Sequence, residues 1–213
     1  SFITGELAET LRRSNDQGSG ILHFALLTWF RQVYDYQNID PYPTYYALKR
    51  ALQPVLVSAE LWGRNLYGGD KLTTRIYVVN DREDGKDLKP SLLRWEIQDE
   101  TGEKMAWGSE KVPEVKHYGR RYIEPNIQLP VNLPANKVNA KLVLKLTEDG
   151  IPVSENEYHL VLARKTWNIS QISEDKEIVL LDKDGMKSKF DFLQIKYKTV
   201  SSCLLYTSDA ADE

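Results

Sequence analysis

The sequence predicts a mixed fold: an α/β unit over residues 1–54, then an all-β sandwich over residues 55–165. Three observations predict it. A continuous apolar run, Ile21 to Leu27, stands between two segments of helical pattern. After Pro54 the hydrophobic period changes to two. Asp-Gly turn signals at Asp84-Gly85 and Asp149-Gly150 then punctuate the alternating runs.

The first element is a short amphipathic helix over Gly5 to Arg13. Leu7, Ala8 and Leu11 form its apolar side, and Ser14-Asn15-Asp16-Gln17-Gly18 ends it. The run Ile21 to Leu27, bounded by Gly18-Ser19-Gly20, has the character of a parallel strand covered on both faces. A second helix follows over Pro43 to Leu52, with Thr44 in position to cap it and Pro54 to stop it. Helix, buried strand, loop and helix make the rhythm of an α/β unit. Within the sandwich, Leu72 to Asn80, Leu92 to Ile97 and Lys141 to Leu146 alternate, and the last strand runs out near Tyr158 to Ala163. Beyond Trp167, Glu177 to Leu181 and Phe190 to Lys196 predict the start of a further β domain over residues 166–202.

Residues 203–213 resemble translated sequencing adapter. The adapter reading TGT CTC TTA TAC ACA TCT GAC GCT GCC GAC encodes Cys203 to Asp212 in order, so this tail is set aside from fold reasoning. It holds the single cysteine and Asp209, Asp212 and Glu213, which leaves 28 basic against 28 acidic residues. A balanced charge without a basic run predicts no nucleic-acid partner and no anionic membrane surface. The longest apolar run is too short for a bilayer span, which takes ~20 residues. With the cysteine set aside and only His23, His117 and His159 as imidazoles, neither a metal site nor any cofactor is expected.

At the junction of the two regions stand Asp35-Tyr36 and then, from Pro41 to Ser58, Pro-Tyr-Pro-Thr-Tyr-Tyr-Ala-Leu-Lys-Arg-Ala-Leu-Gln-Pro-Val-Leu-Val-Ser. This resembles the barrel exit of glycoside hydrolase family 2, of the β-mannosidase and β-galactosidase kind, and the similarity extends over roughly residues 5–165. It implies that residues 1–54 are the last α/β unit of a (β/α)8 catalytic barrel and that the sandwich is immunoglobulin-like. It implies a retaining β-glycosidase acting on O-glycosidic bonds of oligo- or polysaccharides through two glutamates at barrel strand ends. With Ile21 to Leu27 as the eighth strand, both glutamates precede Ser1. The chain then holds no catalytic residue, is inactive alone, and has as partners a carbohydrate substrate and the remainder of the barrel. A periplasmic or secreted bacterial location is what the family favours.

Barrel sites are built at the C-terminal ends of the strands, so the substrate-binding candidates are His23, Phe24, Thr28 and Trp29. Relatives place Asn-Asp where this chain has Leu27-Thr28. Each candidate has a plainer alternative: packing for His23, closure of the barrel rim for Trp29. Arg31 and Asp35 are read as a local ion pair, and Asp81 to Asp87 as a solvated hairpin tip rather than a calcium loop. Trp62, Trp95, Trp107 and Trp167 are read as core, with a sugar platform as the alternative, and Asn168-Ile169-Ser170 fits a glycosylation acceptor. A competing reading makes the chain a stand-alone sandwich for carbohydrate binding or adhesion. On the barrel reading, residues 1–54 expose apolar surface while the sandwich holds together by itself.

Overall fold

The computed structural model describes residues 2–14, 21, 29–35, 37–168, 177–181, 185–193 and 195–200. The predicted strand Ile21 to Leu27 lies, apart from Ile21, outside the described residues, as do the adapter-like tail and Ile169 and Ser170 of the glycosylation motif.

The chain opens with helix α1 (Phe2–Ser14), then a hairpin of β1 (Phe30–Asp35) and β2 (Asn38–Pro41), then helix α2 (Pro43–Ala51). Pro43 occupies the first turn of α2, where a missing N–H is lost at no cost and the ring presets φ. The N-cap is therefore Tyr42, in extended conformation and without a side-chain cap bond, and not Thr44. The two helices meet closely at Gly5, where an added Cβ would lie 3.1 Å from the Cβ of Ala47. The amphipathic reading of α1 holds for Ala8 and fails for Leu7 and Leu11. Gly5, Ala8 and Glu9 are the buried positions, whereas Ile3 is 76% and Leu7 57% exposed, with Leu11 following them on the open side. A periodicity argument assumes that the large apolar side chains are the ones that pack; here the small Gly5 and Ala8 and the hydrogen-bonding Glu9 do.

The sandwich comprises β3 (Val55–Ala59), β4 (Asn65–Tyr67), β5 (Lys71–Leu72), β6 (Ile76–Asn80), β7 (Ser91–Asp99), β8 (Lys104–Val112), β9 (Arg120–Ile123), β10 (Ile127–Gln128), β11 (Lys137–Glu148) and β12 (Ile151–Ala163). One sheet has the order β3-β6-β9 and the other β4-β12-β11-β7-β8, antiparallel throughout except that β4 runs parallel to β12. Val57 and Val78 from the first sheet interleave with Leu93, Ile97, Leu144 and Leu160 from the second in one buried core. Alternation along each strand aims these side chains inward. At the β11–β12 hairpin both Asp149 and Gly150 have positive φ, 49° and 82°, the pairing that a tight two-residue turn of matching twist requires.

Two predicted features are corrected here. Leu72 to Asn80 is not one strand: Leu72 pairs with Ile127 in a small ribbon, and only from Ile76 does the chain join β3. Thr74 marks the change, its buried hydroxyl donating to the Glu60 carbonyl at 3.1 Å. Asp81 to Asp87 turns at Gly85 (φ 69°) but carries the chain from one sheet to the other, so it is not a hairpin tip.

The tryptophans divide. Trp95 is core, under Gly108, where an added Cβ would come within 2.4 Å of its ring. Trp62, 92% exposed in the loop after β3, and Trp107, on the outer side of edge strand β8, are surface residues, contrary to the core reading. Near the end, β13 (Val179–Leu180) pairs in parallel with β14 (Lys198–Thr199), with helix α3 (Lys187–Phe192) between them. Phe190 to Lys196 is thus not a strand; Phe190 belongs to the helix and packs edge-on against Tyr197.

Candidate functional site

Of the four residues expected to touch substrate, His23, Phe24 and Thr28 lie outside the described residues. Trp29 is half-buried and packs with Ile21 against Ala8, Leu48 and Ala51, between the two helices. Its carbonyl accepts the Tyr42 N–H at 2.7 Å, which fixes the root of the β1–β2 hairpin to the start of α2. Arg31 reaches Asp40 at 3.9 Å rather than Asp35. Asp35 instead caps the hairpin turn, accepting from the side-chain amide of Asn38 and the N–H groups of Gln37 and Asn38, and these bonds hold its carboxyl below the usual range.

The described residues form a groove of about 470 Å³ between α2 and the outer face of the β11–β12 hairpin. Tyr46, Lys49, Arg50 and Gln53 line one side, at positions i, i+3, i+4 and i+7 of a helical repeat. Glu155 and Glu157, outward-facing alternate residues of β12, line the other, and Val143 pairs with Glu157 in the strand register. Gln53 welds the two sides: its amide donates to the Glu155 carbonyl at 2.8 Å while its oxygen accepts the Glu155 N–H at 3.2 Å. Arg50 meets Glu157 at 2.9 Å, Lys141 meets it at 3.4 Å, and Lys145 meets Glu155 at 2.6 Å. Partial burial pushes the Glu157 carboxyl up, but the bond from Arg50 and the field of Lys141 more than offset this and leave it below its ordinary value. A glycosidase acid needs the opposite shift, so Glu157 is held as an anion that binds.

A second polar cluster joins α1 to the sandwich. Glu9, 5% exposed, accepts from the Ser58 hydroxyl at 2.5 Å, the Tyr158 hydroxyl at 2.6 Å and the Asn156 amide at 3.0 Å. Arg13 approaches the same carboxylate at 3.6 Å, and the Tyr158 oxygen in turn accepts the Ala59 N–H. Burial, reinforced by the adjacent Glu9 charge, raises the Tyr158 hydroxyl well above its usual value, so it stays protonated and donates. Beside it Arg12 grips the carbonyls of Ala51 and Gln53, both at 2.7 Å, and the Asp81 carboxylate at 2.7 Å. Neither cluster was singled out from sequence. The polar face of α2 and the Glu155-x-Glu157 alternation were readable signals; Glu9 carried none, since a lone glutamate on a short helix reads as solvated.

Asp81, Asp84 and Asp87 disperse to Arg12, to Lys86 and to Lys116, and among the described residues no group of three or more acid, histidine or cysteine side chains converges as a metal site would need. No described helix is long and apolar enough to cross a membrane.

No family model matches this chain, and no curated protein does. Solved glycoside hydrolases are among the structures it resembles. A β-glucuronidase from glycoside hydrolase family 2 aligns at 19% identity over 51% of this chain and 11% of its own length, with a TM-score of 0.36. A β-D-mannosidase from Dictyoglomus thermophilum aligns at 16% over 59% of this chain and 14% of its own, with a TM-score of 0.40. The sporulation control protein Spo0M of Bacillus subtilis aligns at 15% over 55% of this chain and 53% of its own, with a TM-score of 0.37. The chain thus spans a small part of the glycosidases it resembles, and glycosidases and a sporulation control protein share the likeness at similar scores.

Proposed function

We propose that this chain is the C-terminal part of a retaining β-glycosidase of the family-2 kind: the end of its (β/α)8 barrel joined to an immunoglobulin-like sandwich, with both catalytic glutamates upstream of Ser1. The observation that carries this reading is the packing of α1. Its hydrogen-bonding side is committed to β3 and β12 through Glu9, while the apolar side bearing Ile3 and Leu7 faces outward. A barrel-ring helix joined to its sandwich would present such a side to the barrel strands that this reading places before it. The barrel-exit sequence Pro41 to Ser58 supports the same reading. On this reading His23, Phe24, Thr28 and Trp29 form one wall of the sugar pocket, and the substrate is a β-linked oligo- or polysaccharide.

The test is to recover the upstream reading frame, express the extended protein, and assay it on chromogenic β-glycosides beside the present chain. Hydrolysis by the extended protein alone, abolished when either of two strand-end glutamates becomes glutamine, is the expected result. An extended protein with no such glutamates, or with no hydrolysis on any β-glycoside, removes the proposal. A second reading, a self-standing sandwich for carbohydrate binding, draws support from a sandwich core made entirely of residues from Val55 onward.

A further inference from the structure

The groove between α2 and β12 has features of a ligand site apart from any barrel pocket. Its 470 Å³ falls within the usual span of small-molecule sites, roughly 300–1,000 Å³. Tyr46 is 51% exposed at the groove, and its ring is held in place edge-on by Tyr45, centroids 5.4 Å apart. An aromatic face of this kind suits the C–H face of a pyranose. Arg50 and Glu157 offer donors and acceptors beside it, already fixed against each other. The groove's charges are unequally committed. The two carboxylates, Glu155 and Glu157, face four cations: Arg50, Lys141 and Lys145 are engaged with them, whereas Lys49 has no ion-pair partner among the described residues. Of the residues lining the groove, two cations, Lys49 and Arg50, face two carboxylates, and Lys49 is the uncommitted one, on the helix face one turn from Tyr46.

The geometry points to a binding site for a carboxylated saccharide of the uronic-acid type, its ring stacked on Tyr46 and its carboxylate paired with Lys49. The choice of a saccharide as the ligand rests on the carbohydrate reading above; the preference for an acidic one rests on the groove alone. Neutral sugars leave the Lys49 charge unanswered, and a carboxylate without a ring forgoes Tyr46.

The 213-residue chain is titrated calorimetrically with oligogalacturonides and, separately, with neutral manno-oligosaccharides of the same length. Binding of the acidic series and not the neutral one is expected, weakening as salt rises from 20 to 300 mM because the pairing is exposed. Lys49→Gln and Tyr46→Ala, both at surface positions, should each weaken it by about tenfold or more with the thermal unfolding midpoint unchanged. No binding of the acidic series, equal binding of both series, or undiminished binding by both variants overturns the site. Because no hydrolysis is measured, an inactive extended protein would remove the glycosidase proposal without altering this result, and a failed titration would remove the groove while leaving that proposal in place.

Discussion

Replacing Glu9 with alanine should release α1 from the sandwich. The carboxylate takes three hydrogen bonds, from Ser58, Tyr158 and Asn156, in a position sealed from water. Bonds to a charged acceptor contribute at least ~1.5 kcal/mol each. Their loss, with three polar groups left facing a void and Arg13 without its counter-charge, amounts to about 4 kcal/mol. Because α1 is a terminal element, the loss should appear first as local opening. Hydrogen exchange of the amides of residues 2–14 is the measurement, and 4 kcal/mol corresponds to protection lower by about a thousandfold, up to the limit set by the wild-type opening energy. Glu9→Gln keeps one acceptor but turns an NH2 toward two hydroxyl donors, and should fall between wild type and alanine. If α1 protection in Glu9→Ala stays within about tenfold of wild type, equivalent to roughly 1.4 kcal/mol, the joint is not what holds the helix.

Gly108→Ala should cost about 1–3 kcal/mol by overpacking, since the new methyl would sit 2.4 Å from a buried Trp95 ring that cannot swing away; a denaturation midpoint equal to wild type would contradict this. Glu148 gives an acid limb to stability. Burial raises its carboxyl, but the Arg82 bond and the Lys89 N–H lower it further, so its contribution is complete above the ordinary carboxyl value of 4.5 and is lost as pH falls through the depressed folded value. Glu148→Gln should flatten the dependence of unfolding free energy on pH below about 4.5, and an unchanged slope there would refute the assignment. Leu7→Lys should alter the stability of the present chain by no more than about 0.5 kcal/mol yet lower the unfolding midpoint of the extended protein; indifference in both would argue against a covered α1 face.

What was legible followed from local chemistry. The existence of helix α2 before Pro54, the alternation of β7 and β11, and the Asp149-Gly150 turn each depend on neighbours a few residues apart, and each stands where the pattern placed it. What was not legible depends on distant partners. The burial of Glu9 requires Ser58, Asn156 and Tyr158, which no periodicity connects to α1. The break at Thr74 depends on the Glu60 carbonyl, and the surface position of Trp107 on its pairing with outward-facing Glu96 rather than with Trp95. The groove lay between, with both of its walls patterned in sequence but their meeting decided by the glutamine weld at Gln53.

The Glu9 joint also sets an order of events as the chain emerges from the ribosome. Tyr158 follows Glu9 by 149 residues, which at 5–20 residues per second is a delay on the order of ten seconds. Throughout it the Glu9 carboxylate lacks two of its three donors, Asn156 and Tyr158, although α2, on which α1 also packs, is already made. During that wait Glu9 and the neighbouring Arg12 and Arg13 keep the polar part of the docking side hydrated, while the small residues Gly5 and Ala8 meet α2. The Glu9 joint is thus closed only after β12, the last strand of the sandwich, has been made.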